Sequence, residues 1–590
     1  MTGFTQLVTA VVVLWMMAAG TSMVGQQPPT PPTGSPAQPA APAPPSAAPQ
    51  AKAEEGIPIP DAVVQKACAP CHAVDDKQQI SRISFRRNTP EGWEQTIRRM
   101  VALNGLRIEP ATAREVVKYL SDHLGLAPEE ARPAAWEAER RIIDYKYENA
   151  DAERTCNVCH SMGRVISQRR TRDEWNLLIA MHRGWYPLVD NQAFRRPGPP
   201  PRDPSADGRP PDLRQPVEKA VDHLARAFPL KTPAWSAWSA TMRPARLEGA
   251  WALSGTEIGK GPVYGHVELK AGSTPDQFTS TTTLVYARTG ERVTRTGQAI
   301  IYTGFQWRGR SSVAGDDDSD LREVMFVDRD WRAIEGRWFT GAYDEIGLDV
   351  RLDRMGREPR VLGTERSALR AGSTGQSFRI YGVNLPSALQ AADVDLGPGV
   401  TVTSVANVAS DQATITVDVA ANAAAGTRDL FVAGSRVNGP AIYDSIDALK
   451  VTPTWAMARV GGVAFPKAFA QFEARAFDNG PDNRPDTPDD IDLGLVPVTW
   501  SLEEFAATYD DDDIKFVGTI DPKTGLFTPN VDGPNPARTG SRNNIGDVYA
   551  VATYTPEAVD GKPATALRAR AHLLVTVPLY MFWEEPGAPR

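Results

Sequence analysis

Apolar positions fall into distinct textures along the 590-residue chain. Between 57 and 228 they recur at helical spacing: Trp93, Ile97, Met100 and Val101, then Val116, Val117, Leu120 and Leu124, then Trp175, Leu178, Ile179 and His182. After Trp238 short alternating runs take over, such as Tyr264 to Leu269 and Ala299 to Trp307. Turn residues punctuate these runs at Thr289-Gly290, Gly309 and Asp316 to Asp318, which predicts an antiparallel meander or small barrel over 240–356. A second strand series, with Ser377 to Leu385, Thr414 to Val419 and Gly426 to Val432, predicts an immunoglobulin-like sandwich over 360–451. A third, with Val498 to Leu502 and Ile520 to Phe527, predicts another over 452–577. The expected fold class is multidomain, α followed by all-β, in keeping with a chain too long for one core.

The N-terminal stretch stands apart. Leu7 to Ala19 is apolar except for Thr9, with small residues following, so residues 1–25 read as an export signal, too short to span a bilayer comfortably. The first basic residue is Lys52, which leaves an uncleaved anchor as the other outcome. Residues 26–56 are mostly Pro, Ala, Gln, Ser and Thr and form no core; they read as a tether.

The helical region is an internal repeat. In 57–145, Cys68-Ala69-Pro70-Cys71-His72 is followed by Trp93, Met100 and the Leu120 to Leu124 segment containing His123. In 146–230, Cys156-Asn157-Val158-Cys159-His160 is followed by Trp175, His182 and Val221 to Leu224 containing His223. Seven residues separate Trp93 from Met100, and seven separate Trp175 from His182. The second half is shorter before its Trp and carries a Pro-rich loop, roughly Pro197 to Pro216.

All four cysteines lie in the two CxxCH motifs, so none is left for a structural disulfide. The spacing suits two thioether bonds to a haem, with the adjacent His72 or His160 ligating iron. Two such motifs, each opening a matching helical unit, point to two covalent haems c rather than to a CxxC zinc site. c-type attachment also argues for export. Candidates for the opposite iron ligand are Met100, His123, Met162, Met181, His182 and His223. Repeat equivalence makes His123 and His223 structural and selects Met100 and His182. Haem one is then His72/Met100 and haem two His160/His182, with Met181 as the other option at the second site. Methionine ligation raises a haem potential, so electrons are expected to enter at haem two and leave through haem one.

The remaining chemistry is sparse. The net charge of −8, with Lys and Arg scattered along the sequence, gives no nucleic-acid footprint. Acidic stretches at Asp478 to Asp492 and Asp510 to Asp513 offer calcium-type ligands, but Arg484 and the prolines break the EF-hand register; solvated loops are the expected reading. No nucleophile elbow, Walker or dinucleotide motif is present, and His266 and His572 have no evident partners.

A pair of CxxCH units followed by three β domains resembles the alpha subunit of quinohaemoprotein amine dehydrogenase, over roughly 57–577. The resemblance implies a streptavidin-like barrel and two immunoglobulin-like folds in a periplasmic heterotrimer. It also implies a small subunit bearing cysteine tryptophylquinone, a β-propeller subunit, and a soluble cytochrome or copper protein as acceptor. Primary amines are oxidised to aldehyde and ammonia at the quinone, so no catalytic residue is expected in this chain. The residues it carries over are Cys68, Cys71, His72, Cys156, Cys159 and His160, with Met100 and His182 as distal ligands. Two other readings are a stand-alone exported dihaem cytochrome whose β domains bind a partner or surface polymer, and a haem peroxidase. Paired Met100 and His182 argue against the open iron position a peroxidase needs.

Overall fold

The computed structural model describes residues 54–134, 147–196, 198, 210–340, 346–463, 465–505, 511–556 and 565–577. The signal, most of the tether and most of the Pro-rich loop therefore lie outside the described residues.

Two helical units come first. Helix Ala62–Cys68, capped by the Asp61 side chain on Val64 N, delivers the first CxxCH. Helix Pro90–Asn104 starts at a Thr89 N-cap and ends at Gly105, whose φ of 71° suits a residue without Cβ. Helix Pro110–His123 completes the first core, packing Val116, Val117 and Leu120 on Trp93, Ile97 and Ile80. The second unit repeats the plan. Helix Ala150–Cys156 is capped by Asn149, Arg172–Trp185 by Thr171, and Pro216–Ala227 closes the core around Trp175, Met162 and Val221.

A ribbon of two short antiparallel strands, Arg86–Asn88 and Gln168–Arg170, joins the units. Arg87 opposes Arg169, each two residues before its helix-capping threonine, so equivalent residues face each other across a local two-fold. The ribbon was not legible in the hydrophobic pattern because three-residue polar strands carry no alternation. Arginines scattered in sequence are here brought together. Arg87 is fully buried and spends its guanidinium on Glu130 (2.6 and 2.8 Å), Gly125 O, Leu230 O and Thr232 Oγ1. Arg169 reaches the same carboxylate at 3.2 Å.

Helix Pro233–Thr241, another element the pattern did not separate, leads into the β region. Eight strands between Gly249 and Arg354 close into an antiparallel barrel, in which the last strand pairs with the first. Its interior is filled by Trp251, Phe278, Trp307, Trp338 and aliphatic side chains. The barrel holds the first helical unit through Lys118–Asp276 (2.6 Å), Arg308–Glu91, and Thr303 N donating to Asp122 Oδ1 (2.7 Å). Beyond it, two four-stranded sheets between Arg360 and Tyr443 enclose Phe378, Ile380, Ile415 and Leu430. The last region, Ala448 to Thr576, packs three sheets around Phe472, Trp500 and Phe527.

Candidate functional site

In the second unit the geometry is specific. His160 Nδ1 lies 3.0 Å from the carbonyl of Ser161, and His182 Nδ1 lies 2.8 Å from that of Leu178. A carbonyl only accepts, so each Nδ1 carries the proton and each Nε2 presents a lone pair. The ring centroids stand 6.4 Å apart. Two metal–imidazole bonds of about 2.0 Å, with about 1.2 Å from nitrogen to ring centre, span roughly 6.4 Å, so the centroid separation equals that of two imidazoles on one iron. Burial, reinforced by Arg164 and His182, lowers the His160 pKa to about 4 and keeps its ring neutral, as a ligand must be.

The competing ligands are otherwise engaged. Met181 Sδ accepts from Arg99 Nη1 at 3.7 Å. Met162 is fully buried in the unit's core. His223 Nε2 and Tyr147 Oη are 2.8 Å apart. His123 packs edge-on against Tyr119, with centroids 4.1 Å apart.

In the first unit His72 and Met100 are both half-buried, and no hydrogen bond joins them among the described residues. Burial lowers the His72 pKa, partly offset by the Ser81 backbone. Met100 and His182 occupy matching places: Met100 O accepts the N–H of Leu106 and His182 O that of Tyr186, each at its helix end.

Burial pushes the Cys68 thiol up to about 11 and the Cys156 thiol up to about 12, so neither is a free thiolate on its own. The sulfurs and imidazole of each CxxCH do not converge as a metal-binding cluster; among the described residues only Asp511, Asp512 and Asp513 do. This weighs against zinc. Buried polar atoms without partners, Trp175 Nε1, Thr155 Oγ1 and Arg86 Nε, suit a bulky group bearing acceptors beside these motifs. The donor set fits haem c, whose iron would supply one-electron redox chemistry.

The acidic loops are spent internally. Asp490 pairs with Lys450 at 3.0 Å and accepts from the Asp486 N–H, while Asp489 accepts from Asp482 N–H and Thr487 Oγ1. Asp512 and Asp513 bind Arg538 at 3.0 and 2.5 Å. The expectation that His572 lacks partners is corrected: it stacks on Phe505 (4.0 Å) and meets Asp547 Oδ2 at 3.2 Å, pairings made across strands distant in sequence. The arginines at the ribbon are the residues the sequence reading missed. Their signal was the paired Ser84 to Arg87 and Ser167 to Arg170 segments, each holding adjacent arginines.

Four family models match the chain in order. They are quinohemoprotein amine dehydrogenase A, alpha subunit, haem binding (59–198), and domains II (244–355), III (358–444) and IV (449–587) of the same subunit. No curated protein matches. Solved structures resemble parts of it. A redesigned β-barrel is 14% identical, covering 20% of this chain and 98% of its own, with a TM-score of 0.17. A human protocadherin-24 EC1-2 fragment is 13% identical, covering 37% and 97%, with a TM-score of 0.14.

Proposed function

The chain belongs to the quinohemoprotein amine dehydrogenase alpha-subunit family, and from that premise we propose that it carries two covalent haems c relaying electrons out of a periplasmic amine dehydrogenase. Family membership makes it a haem-binding electron-transfer subunit of a multi-subunit oxidoreductase. The finer reading is ours. Cys68 and Cys71 anchor haem one, with His72 and Met100 as axial ligands; Cys156 and Cys159 anchor haem two, with His160 and His182. The observation that carries it is the 6.4 Å separation of His160 and His182, each held by a backbone carbonyl at Nδ1.

In this reading the quinone, a cysteine tryptophylquinone, sits in a small partner subunit beside a β-propeller subunit. Primary amines become aldehyde and ammonia there, and a soluble cytochrome or copper protein takes the electrons. This chain's residues attach, orient and electrostatically tune the haems. The barrel is assigned as streptavidin-like and the two following regions as immunoglobulin-like.

Isolation of the native protein tests this. The account expects a small quinone-staining subunit and a propeller subunit to co-purify. A protein that isolates alone, with no such subunits encoded beside it, supports the stand-alone dihaem cytochrome instead.

A further inference from the structure

The ribbon between the helical units holds a charge imbalance. Arg86 is 9% exposed, donates Nη2 to Thr96 Oγ1 at 2.9 Å, and lies 4.4 Å over the Trp93 ring. Its Nε has no partner, and it enters no ion pair among the described residues. Directly opposite on the ribbon is Arg170, 3% exposed and 5.6 Å over the Trp175 ring. The adjacent carboxylate is Glu174, already shared between Arg82 at 2.8 Å and Arg170 at 3.4 Å. Next along the chain, Arg87 is compensated at every donor it points inward, so the deficit at Arg86 is local. Two facing buried guanidiniums with one shared carboxylate call for a further anion.

The same arginines flank the candidate iron ligands. Arg86 and Arg99 both donate to Thr96 Oγ1, at 2.9 and 3.1 Å, and Arg99 Nη1 reaches Met181 Sδ, next to His182, at 3.7 Å. Arg82, which pairs with Glu174, follows Ser81, whose N–H donates to the carbonyl of Ala73, next to His72. The ribbon thus bridges the two sites. On the reading that both haems are present, we propose that Arg86 and Arg170 form a cradle for haem propionate carboxylates and, with Glu174, set the haem potentials. A nearby positive charge favours the reduced haem, which carries one positive charge fewer at iron; a nearby carboxylate favours the oxidised form. Arg86 and Glu174 are therefore positioning residues whose removal acts with opposite signs.

Spectroelectrochemical titration of the full chain, with haem content measured in parallel, tests this. Arg86→Gln should lower the reduced-to-oxidised ratio of haem one about tenfold at fixed potential, equivalent to a 59 mV fall for one electron. Arg170→Gln should act more on haem two. Glu174→Gln should raise the potential, and Arg86→Lys should restore most of it. If Arg86→Gln does not accumulate, the sign of the Glu174→Gln shift decides. Fully haem-loaded variants with unmoved potentials, or shifts of one sign for Arg86→Gln and Glu174→Gln, overturn the cradle. Potentials that follow added phosphate or chloride assign the cradle to a free anion and overturn the propionate assignment. Wild-type protein lacking covalent haem overturns the dihaem reading itself, which the haem assay reports separately.

Discussion

Replacing Glu130 with Gln removes the counter-charge at the centre of the helical region. Glu130 is 6% exposed and accepts from Arg87 twice, from Arg169, from Thr232 Oγ1 (2.7 Å) and from Ala127 N (2.9 Å). The variant leaves Arg87, with no exposed surface, and Arg169 without their carboxylate. Breaking a buried pair in this way costs about 3–5 kcal/mol. The titration gives a second measure. Burial alone would raise the Glu130 pKa, but the Arg87 hydrogen bonds and charge, helped by Arg169, hold it down from 4.5 to about 2. That depression corresponds to about 3 kcal/mol at neutral pH. The two figures agree in size. The folded-state pKa is lowered, so this stability is fully present above about 4.5 and fades as pH falls toward 2. Thermal unfolding of the helical region, followed by far-ultraviolet dichroism at neutral pH, should show Glu130→Gln melting about 6–12 °C lower, taking a unit of 150–250 residues. The variant should also lose this component of the wild-type acid sensitivity. A melt within 1 °C of wild type, or an unchanged acid profile, refutes the reasoning.

Other outcomes follow from the same geometry. His182→Ala should leave haem two attached while changing its spectrum and potential, whereas Met181→Leu should leave both unchanged; the reverse pattern makes Met181 the ligand. Cys156→Ala should weaken or abolish attachment at the second motif only, read as lost haem mass on denatured protein. Near-infrared magnetic circular dichroism should resolve one His/Met and one bis-His haem, and two identical signatures contradict the pairing. Removing calcium with a chelator should leave the melting of the C-terminal β region unchanged, because Asp489 and Asp490 are already bound by Thr487 and Lys450.

The legible parts of the molecule were those written in local periodicity or in motif spacing. Helices bearing Trp93 and Trp175 show their buried faces at 3.6-residue spacing, and both begin at a threonine cap visible in the sequence. The barrel's alternation marked its strands, and closure follows from pairing the last with the first. The CxxCH motifs and the repeat sufficed to nominate Met100 and His182. What stayed hidden depends on long-range pairing. Arg87 finds Glu130 43 positions away, and His572 finds Asp547 25 positions away. Such contacts leave no periodic trace, and the polar Arg86–Asn88 strand looks like any loop. The arginines appeared scattered because only the ribbon's register brings Arg86 opposite Arg170.

The most direct test of the central claim is anaerobic addition of a primary amine to the isolated native complex, with the haem α bands followed spectrally. The account predicts that amine alone reduces the haems, and that a later oxidised cytochrome or copper acceptor reoxidises them. Haems that dithionite reduces but amine leaves oxidised, in a complex whose quinone subunit is present, would contradict it.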